Sequence, residues 1–157
     1  MIDAKRRILL KGSLGAGAIG VAVSAGLLMP RAVLAAWPEA AFKAEDQATA
    51  LKDLLGSDAV EASDKVTIKA PDIAENGAVV PVTVESDIEG AKSISIIASG
   101  NNTPLIASFD LGENAMPFVS TRIKMAKTAD VVAVVQTADG LLSAAKPVKV
   151  TIGGCGG

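Results

Sequence analysis

The hydrophobic period of the chain changes after Gly56, and that change does most to limit the folds open to it. Seven runs, at 66–68, 79–84, 93–98, 105–111, 118–125, 130–137 and 141–152, are rich in β-branched and apolar residues. Alternation with a period of two is what a strand with one buried face requires. It is plainest in Ile94/Ile96, in Ile123/Met125 against Arg122/Lys124, and in Val148/Val150/Ile152 against Lys149/Thr151. Turn-forming residues separate the runs: Glu75-Asn76-Gly77, Glu89-Gly90, Gly100-Asn101-Asn102, Gly112-Glu113-Asn114 and Ala138-Asp139-Gly140. No helical pattern intervenes, so the expected fold is mainly β, an immunoglobulin-like antiparallel β-sandwich of about seven strands. Pro81 lies inside one run. Lacking an N–H, it places that strand at a sheet edge or in a bulge at this point.

One helix is expected ahead of the strands. From 39 to 55, Ala44, Ala48, Leu51, Leu54 and Leu55 fall three or four apart, and Gly56 follows as a stop. Phe42 lies off this stripe, so it either packs separately at the helix start or marks an irregular first turn.

The N-terminal segment reads as an address rather than as part of the fold. Lys5-Arg6-Arg7-Ile8-Leu9-Leu10-Lys11 has the form of a twin-arginine export signal. The apolar stretch that follows is diluted by Gly12, Gly15, Gly17, Gly20 and Gly26 and broken by Pro30-Arg31. Val33-Leu34-Ala35 then offers small residues to a signal peptidase, so cleavage is expected after Ala35 or Ala36. The alternative is an uncleaved anchor, because the apolar run approaches spanning length. The expected organisation is a removed signal peptide at 1–35, a helix-plus-sandwich domain at 36–152 and a tail at 153–157. Twin-arginine export carries folded proteins, which also permits a partner subunit without its own signal to travel along.

Removing the leader changes the charge. It holds Lys5, Arg6, Arg7, Lys11 and Arg31 against Asp3, which leaves ten basic and sixteen acidic residues and a net charge of about −6 on the mature part. Such a domain has no general field for nucleic acid or anionic lipid, and no stable membrane association is expected once the signal is gone. About 120 residues suffice for one core. Exported domains of this size often carry disulfides; with a single cysteine this one has no pair to form, and packing must hold it together.

That cysteine sits in Gly153-Gly154-Cys155-Gly156-Gly157, at the very end. A structural cysteine belongs in an apolar run, whereas glycine on either side removes neighbouring side chains and lets the backbone thread into a narrow cleft. The pattern points to an accessible thiol, Cys155, on a flexible arm made by Gly153, Gly154, Gly156 and Gly157. A disordered end with an incidental cysteine is the other reading. The base of the arm is the last strand. Cys155 lies three residues past Ile152 and reaches about 10 Å from it; fraying back to Pro147 would extend that to about 25–30 Å.

The chain carries little chemistry of its own. It contains no histidine and no tyrosine, which removes Ser-His-Asp and Cys-His catalysis, the common zinc and copper ligand sets and imidazole acid–base work. One cysteine makes neither a Cys-x-x-Cys redox pair nor a haem attachment motif. No metal site and no bound cofactor are expected, and carboxylate pairs such as Glu45/Asp46 read as solvated surface. Nothing in the sequence activates Cys155: no Lys or Arg is closer than Lys149, and the terminal carboxylate two residues away disfavours the thiolate. The thiol is a handle that a partner must deprotonate. The tail is too short past the cysteine for prenylation, a lipoprotein cysteine would follow the signal instead, and a Gly-Gly carboxylate activated by ATP does not suit an exported strand-rich chain.

Three features together resemble one family: the Gly153-Gly154-Cys155-Gly156-Gly157 end, the segment Ala70-Pro71-Asp72-Ile73-Ala74-Glu75-Asn76-Gly77-Ala78-Val79-Val80-Pro81-Val82, and the twin-arginine leader. They are similar to SoxY, the sulfur-carrying subunit of the SoxYZ complex, over nearly all of the mature chain. The resemblance implies a periplasmic, non-catalytic carrier for thiosulfate oxidation that forms a heterodimer with a small β-sandwich Z subunit. It further implies that a haem enzyme joins thiosulfate to Cys155 as an S-thiosulfonate, that a manganese-dependent hydrolase releases sulfate and leaves a persulfide, and that a sulfane dehydrogenase acts in some organisms. The rival expectation is an exported structural or binding sandwich whose cysteine is incidental or forms an intermolecular disulfide. The Glu75-Asn76-Gly77 turn is open between setting a hairpin and meeting a partner.

Overall fold

The computed structural model describes residues 37–152. The expected signal peptide at 1–35 and the tail at 153–157 lie outside the described residues. Two short helices, α1 (Glu39–Lys43) and α2 (Gln47–Leu55), precede nine strands: β1 (Val60–Ala62), β2 (Val66–Lys69), β3 (Ile73–Ala74), β4 (Val80–Ser86), β5 (Ser93–Ala98), β6 (Leu105–Asp110), β7 (Phe118–Ile123), β8 (Ala129–Gln136) and β9 (Leu141–Val150). The larger sheet has the order β1-β9-β8-β5-β6, with β3 also against β9, and the smaller has the order β2-β4-β7. The fold is thus the mainly β, immunoglobulin-like sandwich expected from the alternation, and all seven anticipated strands are present.

Three details differ from the expectation. The single helix over 39–55 is two, because Ala44 and Asp46 are extended and Asp46 starts a new helix by accepting the Thr49 N–H at 2.8 Å. An aspartate at this position satisfies a donor that the first turn leaves without a partner, so it competes well with helix continuation. The break resets the helical phase: Ala48 is exposed, while Ala41, Ala44, Ala50 and Leu51 are buried. Phe42 packs separately, stacked on Trp37 with ring centroids 4.4 Å apart. Gly56 closes α2 in the left-handed conformation (φ 78°), its N–H donating to the Lys52 carbonyl at 2.9 Å.

The second difference is in β5, expected to bury one face and found buried along its whole length. Ile94, Ile96 and Ala98 join Val131, Ala133 and Val135 of β8 against Val80, Val82 and Val84 of β4, which forms the core between the sheets. Ile97 and Val134 face the other way and pack with Ala41, Ala44, Ala50 and Leu51 of the helical segment. The helices therefore cover the outer face of the large sheet and turn its middle into a two-sided core. The two buried serines of β5 are satisfied locally: Ser95 Oγ bonds Ser108 Oγ at 3.0 Å and Ser93 Oγ donates to Gln136 Oε1 at 3.1 Å.

The third difference is the pairing. β1 and β3 were not anticipated, and both run parallel to β9 in an otherwise antiparallel structure. Two or three residues cannot display a period. Pro81 meets its constraint in a local way. β4 is the middle strand of its sheet, but β2 reaches only as far as Thr83, so at Pro81 the strand pairs on the β7 side alone.

At the β5–β6 turn, Gly100 is required by space. A Cβ there would lie 2.6 Å from the Ala129 Cβ. Asn101 beside it donates to the Lys124 carbonyl and accepts the Ala126 N–H, both at 2.8 Å, and so ties the turn to the segment leaving β7. Gly100→Ala is expected to destabilise the domain by about 1–3 kcal/mol, because backbone must move to admit the methyl group. Chemical denaturation of the variant against the wild type measures this. The hydrogen bonds to Asp46, chiefly from the Thr49 N–H and then from the Thr49 side chain, hold its carboxyl below the usual aspartate value. A depressed folded value means that this contribution is complete above the ordinary carboxylate range and fades as pH falls through and below it. Asp46→Asn keeps the cap but not the charge, so the difference in thermal midpoint between the two proteins at pH 6 is expected to shrink at pH 2–3.

Candidate functional site

The structure describes the root of the tail, and the root is held on both sides. The antiparallel ladder between β8 and β9 runs from Gln136↔Leu141 to Ala129↔Val148. Two residues further along β9, where β8 no longer offers backbone, the Thr128 hydroxyl takes its place. It accepts the Val150 N–H at 2.9 Å and donates to the Val150 carbonyl at 3.3 Å.

The other edge is held by the stretch from Asp72 to Gly77. The Lys149 N–H donates to the Asp72 carbonyl (2.9 Å) and the Thr151 N–H to the Ala74 carbonyl (3.1 Å), the two bonds spanning the β3–β9 register. Thr151 Oγ1 donates to the Glu75 carbonyl at 3.0 Å. The Gly77 N–H then donates to the Ile152 carbonyl at 2.8 Å, and the Gly77 carbonyl accepts the Met125 N–H at 2.7 Å. Asn76 Oδ1 accepts the Ala78 N–H at 2.8 Å and shapes the bend. Lys146 Nζ, 3.0 Å from Asp72 Oδ1, fastens the start of the same stretch.

The Glu75-Asn76-Gly77 turn therefore makes no hairpin. β3 on one side of it pairs in the large sheet and β4 on the other lies in the small one. The loop crosses between sheets, and on the way it lies along the last residues of β9. Of the residues singled out from sequence, Cys155, Gly153, Gly154, Gly156 and Gly157 lie outside the described residues. The segment from Ala70 to Val82 is where the structure concentrates contacts to the root. Thr151 shows in the sequence only as an outward residue of the last run, and Thr128, an isolated threonine between Lys127 and Ala129, offers no pattern by which to find it.

The surroundings of the root are partly apolar and carry three lysines against the exposed Glu75. Lys124, Lys127 and Lys149 are exposed there, and none of them is in an ion pair among the described residues. Ile73, Val79 and Ile152 expose more than half of their surface at the same end. A groove of about 750 Å³ lies at the opposite end, between residues 86–92 and 111–117. Among the described residues no three His, Cys, Asp or Glu side chains gather as a metal site, and no helix is long and apolar enough to cross a membrane.

The geometry has relatives among known proteins. The solved structure of the sulfur carrier protein SoxY from Chlorobium limicola f thiosulfatophilum is similar, with a TM-score of 0.60 and 48% identity over 66% of this chain and 94% of that one. A superoxide reductase (neelaredoxin) from Ignicoccus hospitalis superposes with a TM-score of 0.49 at 20% identity, over 55% of this chain and 80% of that one. Comparison with curated protein sequences gives no match. The family model for sulfur oxidation protein SoxY matches residues 51–155, a span that takes in α2 from Leu51, all nine strands, the root and Cys155. The chain belongs to the SoxY family.

Proposed function

We propose that this chain is a periplasmic sulfur carrier that holds thiosulfate-derived groups covalently on Cys155 and offers them to partner enzymes. The observation that carries the reading is that the family match ends on Cys155, the chain's one cysteine, three residues beyond a root bonded into the sandwich up to Ile152. From that root the sulfur-bearing residue lies within about 10 Å, far enough to enter a neighbouring active site and too short to wander.

Loading on this reading is an oxidation. The Cys155 thiol and thiosulfate form a sulfur–sulfur bond, giving the S-thiosulfonate with release of one proton and two electrons, which a haem enzyme accepts. Hydrolysis follows: water attacks the terminal sulfonate sulfur, sulfate and a proton leave, and a persulfide stays on Cys155. A manganese-dependent hydrolase suits that step, and a sulfane dehydrogenase suits further oxidation of the retained sulfur. The carrier contributes the handle and its placement. With no histidine or tyrosine in the sequence, the proton from the thiol goes to a base of the enzyme. The conjugate is anionic, and Lys124, Lys127 and Lys149 near the root give it a favourable field, weakened by salt because all three are exposed.

A Z-type small sandwich subunit is the stable partner on this reading. The twin-arginine leader would export the two as one folded body, with no bound cofactor on this chain. Cys155→Ser removes the only thiol and is expected to abolish sulfur loading, read as the disappearance of adduct and persulfide masses from the intact periplasmic protein. Thiosulfate-dependent electron transfer should fall to background while the thermal midpoint and heterodimer are unchanged. Persistence of transfer in the variant would refute the carrier role.

A further inference from the structure

Val150 has more partners than the last residue of a strand needs. Both of its main-chain groups are taken by one side chain, Thr128 Oγ1, on the edge just before β8 begins. On the other edge Lys149, Thr151 and Ile152 are bonded in succession to Asp72, Ala74, Glu75 and Gly77. The final bond, from the Gly77 N–H to the Ile152 carbonyl, ends one residue before Gly153. Its donor loop is itself fastened, through Met125, to the segment that leaves β7 of the other sheet. A strand end without such bonds frays, since exposed ladder bonds exchange readily with water.

We propose that Thr128, Thr151 and the Asn76-Gly77 loop form a catch that sets the root of the carrier segment at Ile152 and so fixes the length on which the thiol is presented. The proposal rests on the carrier reading. With the catch closed, three residues separate the root from Cys155, a reach of about 10 Å. If the chain peeled back to Pro147, the reach would be about 25–30 Å, and the local concentration of thiol at a given enzyme mouth would fall as the tether lengthened. Thr128, Thr151 and the Asn76-Gly77 loop are thus positioning residues: they touch no sulfur and act through the place from which the tail departs.

The single cysteine makes the test direct. In the full mature chain with its partner subunit, amide hydrogen exchange is measured at Val150, Thr151 and Gly77, whose N–H groups bond Thr128, Ala74 and Ile152, and a nitroxide on Cys155 reports its range through relaxation of body amides. Thr128→Val and the double variant with Thr151→Val are compared with Thr128→Ser, which keeps the hydroxyl. The valine variants are expected to raise exchange at these amides by about tenfold or more and to spread the nitroxide footprint from the root towards the middle of the sandwich. They should also slow enzymatic loading of unlabelled Cys155, while Thr128→Ser behaves as wild type. Unchanged exchange and footprint in the double variant would overturn the catch, as would a wider footprint with unaltered loading. If wild-type Cys155 takes up no sulfur yet exchange and footprint respond to the hydroxyls, the catch stands and the carrier reading falls.

Discussion

Hydrogen bonding along both edges of β9 is the constraint from which the rest of this structure follows. One edge pairs with β8 for eight residues, and the other is shared by β1 at the start and β3 at the end. Parallel pairing by such short strands stabilises little by itself. Its effect here is positional, because a strand bonded on both edges cannot slide or lift without losing two ladders together. The last bonded residue of this edge, Ile152, inherits that fixity.

The same logic accounts for the small helical segment. A two-layer sandwich of this size buries a limited core, and a single cysteine rules out a disulfide within the chain. Packing Ala41, Ala50 and Leu51 onto Ile97, Leu105 and Val134 adds a second apolar layer behind β5, β6 and β8. Small alanines let the helices lie close to the sheet, and burial of β5 on both faces stiffens the platform from which the tail departs.

Much of this was legible in the residues, and the parts that were not share a cause. Long strands announce themselves by alternation, and Gly56, Gly90 and Gly140 sit at turns where a positive φ is needed. β1 and β3 escaped because two or three residues have no period and pair only in response to β9. The helix break escaped because residues 44–46 fit a helical stripe, while the Asp46 cap, which favours a restart, is a local preference that periodicity ignores. Full burial of β5 depends on what lies behind the sheet, and the strand's own sequence does not encode it. At the site, the glycine-flanked thiol stands out by composition, whereas the root is a tertiary construction. Thr128 comes within hydrogen-bonding distance of Val150 only because β8 begins one residue later, with Ala129 opposite Val148.

Distance separates the two ends of the domain functionally. The groove between residues 86–92 and 111–117 begins where β4 ends, and the root lies near where β4 begins. Seven residues of strand span about 20 Å, twice the reach of a tether of three residues from Ile152. The thiol of a chain held at Ile152 therefore cannot fold back into its own groove. On the carrier proposal, its working range is the end that exposes Ile73, Val79 and Ile152 beside Lys124, Lys127 and Lys149. Any active site that takes hold of Cys155 must bring its mouth within about 10 Å of that surface. On that proposal, recognition would extend beyond the glycines to the face of the sandwich at the root, where apolar contact and charge can distinguish one enzyme mouth from another.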